Sequence, residues 1–178
     1  MKPEFYLDEN LRFIPKDPSA LKSYIEGLKI KLDSEALPLN KVNLMGEIGY
    51  YLNCLCKHSE AKKILEKTLK IIDKEHLGLK KRIQNEIRLG HVLQFQKDFK
   101  QSNLLFSSII NICSKNNYLE YFLSYAYQHN GKNLFDQKRY QDALDCFQEA
   151  LKLRLKQNAP KDQVESTRSA IHRTKELI

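Results

Sequence analysis

Three glycines, Gly49, Gly90 and Gly131, stand 41 residues apart, and each opens the same local pattern. The segments "IGYYLNCLCKHSEAKKILEKTL", "LGHVLQFQKDFKQSNLLFSSII" and "NGKNLFDQKRYQDALDCFQEAL" align without an insertion or deletion. Twelve residues after each glycine comes a small residue (Ala61, Ser102, Ala143), and four later a large apolar one (Leu65, Phe106, Phe147). A fixed period of this length marks an array of stacked helical units, because one unit alone cannot bury its apolar face. Each copy reads as two amphipathic helices around a short polar break ("KHS", "KDFK", "QKRY"), with Met45, Ile48, Gly49 and Leu52 recurring at i, i+3, i+4 and i+7. Glycine costs about 1 kcal/mol relative to alanine inside a helix. Three in register therefore predict a close crossing of paired helices, with the small residue twelve later as the other half of the contact.

The glycine, the aromatic at Tyr140 (Phe99 in the second copy), the small residue and the following Phe carry a resemblance to the tetratricopeptide repeat. The pattern is similar to its longer-helix variety, seen in kinesin light chains and Pins-type polarity adaptors. Three positions depart from it: His58 replaces the aromatic, Ser102 the alanine, and Asn130 the apolar residue before the glycine. The usual proline between repeats is also missing. The resemblance implies an all-α, right-handed α-α superhelix. Residues 1–17 are expected to form an N-terminal arm before an array over 18–178. Within the array, 18–36 is a half-repeat helix; 40–76, 78–117 and 118–157 are three repeats; 160–178 is a capping helix. Asp17 or Ser19 can cap the first helix, with Pro18 at its start. "EFYL" and "LRFI" are too apolar for a free tail, so the arm is expected to dock, in cis or on a second subunit, over the half-repeat's uncovered face.

In such an array the first helices line a concave face. The resemblance places groove-facing side chains three and two residues before the glycine, and one and four after it. The candidates are Glu47, Tyr50 and Asn53 in the first copy and Arg88, His91 and Gln94 in the second. Gln128, His129, Lys132 and Phe135 follow in the third, and Arg173 in the cap. The face runs from neutral and aromatic to basic, so Arg88, Lys132 and Arg173 are expected to reach one bound segment. Arginine binds carboxylates bidentately while Asn and Gln hold backbone amides, which points to an acidic or carboxylate-bearing peptide. Gly46 and Tyr50 stand where the dicarboxylate clamp for chaperone C-termini needs Lys and Asn, which disfavours that partner.

Other classes fare less well. The net charge of +8 raises nucleic acid as an alternative partner. Residues 57–82 carry nine basic and four acidic side chains, but acids interleave there at helical spacing, as on a solvated helix, and no nucleic-acid motif accompanies them. Self-association through the half-repeat is a third reading. No P-loop, nucleophile elbow or HExxH is present, so no enzyme and no cofactor is expected. Glu86, in an otherwise apolar register, reads as a structural ion pair with Arg82, Arg88 or a lysine. In "CLCKH" only Cys54 and His58 share a helical face and no second ligand pair lies near, so no metal site is expected. Four cysteines without bridging geometry, no long apolar run and an acidic N-terminus point to the cytoplasm.

Overall fold

The computed structural model describes residues 2–178, and among these eight α-helices account for most of the chain. They are α1 (Pro18–Ser34), α2 (Pro38–Cys54), α3 (His58–Lys74), α4 (Leu79–Phe95), α5 (Phe99–Ser114), α6 (Glu120–Asp136), α7 (Tyr140–Lys156) and α8 (Lys161–Lys175). The starts of α2, α4, α6 and α8 step by 41 residues, as do those of α3, α5 and α7. The fold is all-α, of the tetratricopeptide solenoid type, with one addition: strands β1 (Phe5–Leu7) and β2 (Phe13–Pro15) form an antiparallel hairpin in the arm.

The helix ends follow from local chemistry. Asp17 accepts from the backbone N–H groups of Ser19 and Ala20 at 2.8 and 2.9 Å, and Pro18 occupies the first turn of α1. The breaks between paired helices close with a residue in left-handed backbone: Cys56, Lys97 and Lys138, again 41 apart. After α2 the N–H of Lys57 reaches the carbonyl of Leu52 at 2.9 Å, and after α6 that of Arg139 reaches Leu134 at 3.0 Å. These 6→1 bonds satisfy carbonyls that a helix end leaves open.

The chain divides into two compact units, residues 1–96 and 97–178. Unit 1 holds the hairpin and α1–α4. Its core joins Leu21, Ile25 and Leu28 of α1 to Ile48 and Leu52 of α2, Ala61 and Leu65 of α3 and Val92 of α4. Unit 2 holds α5–α8, with Phe106, Phe147, Ala143, Ala150 and Ala170 fully buried. On α3 the buried residues Ala61, Leu65, Thr68 and Ile72 fall at i, i+4, i+7 and i+11, one face of a helix.

The glycines sit at close approaches, but against a different residue from the one the spacing suggested. A Cβ on Gly49 would stand 2.7 Å from Cγ of Leu65, and one on Gly131 would stand 2.6 Å from the ring of Phe147. The glycine thus makes room for the large apolar residue sixteen positions later, and not for Ala61 or Ala143. Shape explains the correction. The bulky side chain needs a recess to enter, and a helix surface offers one only where a side chain is missing.

All three departures from the repeat pattern have a hydrogen-bonding partner. His58 Nδ1 lies 2.7 Å from Asn53 Oδ1, and its ring tilts against Phe95. Ser102 Oγ donates to Asn133 Oδ1 at 2.7 Å, within a network that also joins Asn103 and Gln137 between α5 and α6. Asn130 Nδ2 lies 3.5 Å from Cys146 Sγ. A buried polar atom without a partner costs about 1–3 kcal/mol, so each substitution comes with its acceptor or donor.

Candidate functional site

In unit 1 the hairpin lies against α2 and α4 and reaches the candidate Tyr50. Phe5 stacks on Tyr51, with ring centroids 6.1 Å apart and planes at 4°, and its ring lies 6.4 Å from that of Tyr50. The guanidinium of Arg12 lies over the ring of Phe95 at 4.9 Å, a cation–π distance. These contacts place the arm in cis on α2 and α4, rather than along the outer side of α1, where Ala20 and Gly27 remain exposed. Burial pushes the Tyr50 phenol far above its ordinary value and that of Tyr51 up to about 12.

Arg88 is only half-buried, yet it is already committed. A Cβ at Gly46 would overlap both Nη1 of Arg88 and Oδ1 of Asn85, so the side chain lies across bare backbone of α2. Its Nη1 donates to Asn85 Oδ1 at 3.2 Å. Burial lowers its pKa, and the nearby Glu47, Tyr50 and Tyr51 oppose that shift. Glu47 accepts from the Tyr24 hydroxyl at 3.3 Å. Asn53, His91 and Gln94 are buried, with the His91 ring 4.5 Å from that of Phe95. Glu86 pairs with Arg82, Nε to Oε1 at 2.8 Å, and Arg82 also reaches Asp73. Burial raises the Glu86 carboxyl while Arg82 holds it down, so it is a structural ion pair.

In unit 2 the candidates lie on α6 and α8. Lys132 is only 3% exposed. Phe135 packs edge-on against Tyr140 at 5.5 Å, inside its own helix pair. Gln128 Oε1 accepts from Arg154 Nη1 at 3.4 Å. His129 is half-buried, and Arg173 pairs with Glu176 at 3.1 Å.

Arg154, on α7, escaped the sequence reading. It is buried, its guanidinium lies 5.5 Å from the Tyr125 ring, and Nη1 donates to the Gln163 carbonyl at 2.7 Å and to Thr167 Oγ1. Arg154 thereby ties α6 to α8. The signal was present, for positions 41 and 82 residues earlier hold Cys113 and Ile72, both buried and apolar. Tyr51, Phe95, Phe5 and Arg12 were also not singled out as members of the site.

Among the described residues no cluster of three or more His, Cys, Asp or Glu could hold a metal ion, and no helix is long and apolar enough to cross a membrane. The Cys146 thiol is pushed up to about 11 by burial, so it stays protonated.

Comparison with known proteins agrees with this architecture. The tetratricopeptide repeat profile matches residues 124–155. Among solved structures, PlcR of Bacillus thuringiensis, determined in complex with the peptide PapR7 and DNA, superposes with a TM-score of 0.68 at 15% identity. That match covers 90% of this chain and 64% of PlcR. BtubC (BKLC) from P. vanneervenii gives 0.63 at 12% identity, over 89% of this chain and 73% of BtubC. A search of curated proteins returns no match. These identities speak to fold alone, and together with the repeat matched at residues 124–155 and the 41-residue helix spacing they show a fold of the tetratricopeptide-repeat type.

Proposed function

We propose that the chain is a non-catalytic adaptor that binds a protein or peptide segment along the inner helices of its array. The observation that supports this best is the placement of polar and basic side chains at one register on α6 and α8. Lys132 and Arg173 stand 41 residues apart, with Gln128 and His129 one turn earlier on α6. Such a row suits a carboxylate-bearing segment, because charge-assisted bonds from Lys and Arg are roughly twice as strong as neutral ones. PlcR, similar in fold, was solved with a bound peptide, which supports a peptide ligand for this chain too.

The test is fluorescence anisotropy with labelled acidic and neutral synthetic peptides. Reversing charge at Lys132 and Arg173, in a variant whose helix content and melting temperature match wild type, should abolish capture of acidic peptides. Reversal at Lys62, Lys63 and Lys70 on α3 should leave it nearly intact. If nucleic acid is the partner, the α3 changes matter as much, and affinity for a labelled duplex falls steeply and log-linearly with salt. That second pattern would overturn the proposal.

A further inference from the structure

The hairpin sits where the repeat register puts a bound segment. Tyr50 follows the repeat glycine directly, and Phe5 covers it from the arm. At the tip, Asp8 Oδ1 accepts from the backbone N–H groups of Asn10 and Arg12 at 3.0 and 2.7 Å. Leu11 there is 2% exposed although its φ is 60°. Left-handed backbone is unfavourable for a bulky residue, so its burial holds the tip in place. Two strands of three residues are not stable alone in water, and the hairpin keeps its shape only on the surface that carries it. Tyr6, on the opposite side, is 52% exposed. The arm is therefore held on one face and open to solvent on the other.

We propose that residues 4–15 are an intramolecular ligand, a displaceable strap over Tyr50, Tyr51 and Phe95, and that this surface takes an external segment of the same chemistry: an aromatic ring and a guanidinium. The recognising groups are complementary to that pair. The faces of Tyr51 and Tyr50 receive the ring of Phe5, and the face of Phe95 receives the cation of Arg12. A tethered competitor of this kind acts at an effective concentration on the order of millimolar. It lowers the apparent affinity of any outside ligand by the fraction of time the surface is open. The proposal does not depend on unit 2 binding an acidic segment.

Hydrogen exchange of the full chain tests the strap first. Amides of Asp8 and Lys16, bonded within the hairpin, should exchange at least about 100-fold faster than those of Leu52 and Val92, because local opening needs less than global unfolding. Equal rates would show a fixed structural element and overturn the proposal. The binding arm uses a labelled synthetic peptide of residues 2–17 as probe. Full-length protein carrying Phe5→Asp and Arg12→Glu, checked for helix content by circular dichroism, should bind it at least tenfold tighter than wild type. Adding Tyr50→Ala should remove the gain. Equal binding by both proteins, no binding by the folded double variant, or equal binding of an acidic peptide by that variant would each refute the assignment.

Discussion

In unit 1 the position after the first repeat glycine is Tyr50, an aromatic beneath the chain's own hairpin; in unit 2 the same position is Lys132, a nearly buried cation. Further down the register the contrast repeats, with Ile72 of α3 in one unit and Arg154 of α7 in the other. What stays constant is the glycine with its large apolar partner, Gly49 with Leu65 and Gly131 with Phe147. In these two helix pairs the repeat therefore fixes one packing joint, while the positions of Tyr50 and Lys132, and of Ile72 and Arg154, differ in chemistry.

The largest effect should come from filling that joint. Gly131→Leu should destabilise by about 3 kcal/mol or more, because overpacking a rigid core costs about 1–3 kcal/mol and the fully buried Phe147 has little room to move. Gly49→Leu should cost less, since Leu65 is the more pliable neighbour. Chemical denaturation gives both values, and equal, negligible changes would remove the joint from the comparison.

Arg154 comes next. Arg154→Ala should cost about 2–3 kcal/mol, from the cavity and from the acceptors left at Gln163 and Thr167. Arg154→Ile, which installs the residue of the equivalent position in unit 1, should stay within roughly 1 kcal/mol of wild type, as apolar replacements of buried charges often do. A loss as large as that of the alanine variant would mean that the cation itself is needed.

A smaller gain is expected at the turns. Lys138→Gly should stabilise by about 0.5–1 kcal/mol, measured by thermal unfolding, because glycine adopts the left-handed conformation there without steric cost. The smallest effect is pH dependence at His58. Burial first, then the charge of Arg12, lowers its pKa below 6.5. The neutral ring is thus favoured in the folded state, so its stabilisation is complete above about pH 6.5 and is lost as pH falls below that. His58→Gln should flatten the acid limb of the stability curve, and an unchanged limb would count against this role.

The helix pairs were legible from sequence because a 41-residue period, apolar spacing and short polar breaks all pointed to one architecture. The partner of each glycine was not, since periodicity shows which face is buried but not which opposing side chain enters the recess. The hairpin escaped for a related reason: strands of three residues are too short to show an alternating pattern, although the apolar content of "EFYL" and "LRFI" did signal docking. Arg88 was expected from the sequence as a groove cation. That it lies over Gly46 depended on a missing side chain on another helix.

Arg154 bears on the order in which the chain closes. Its acceptors, Gln163 and Thr167, lie downstream of it, so during synthesis α7 emerges with a guanidinium that still needs water. Burying that charge before α8 arrives would forfeit hydration for only the long bond to Gln128 and the Tyr125 ring in exchange. Helix α8 therefore works as a latch: α6 and α7 gain their full closure only when it is in hand, and a chain cut short before Gln163 would leave the Arg154 guanidinium without two of its acceptors.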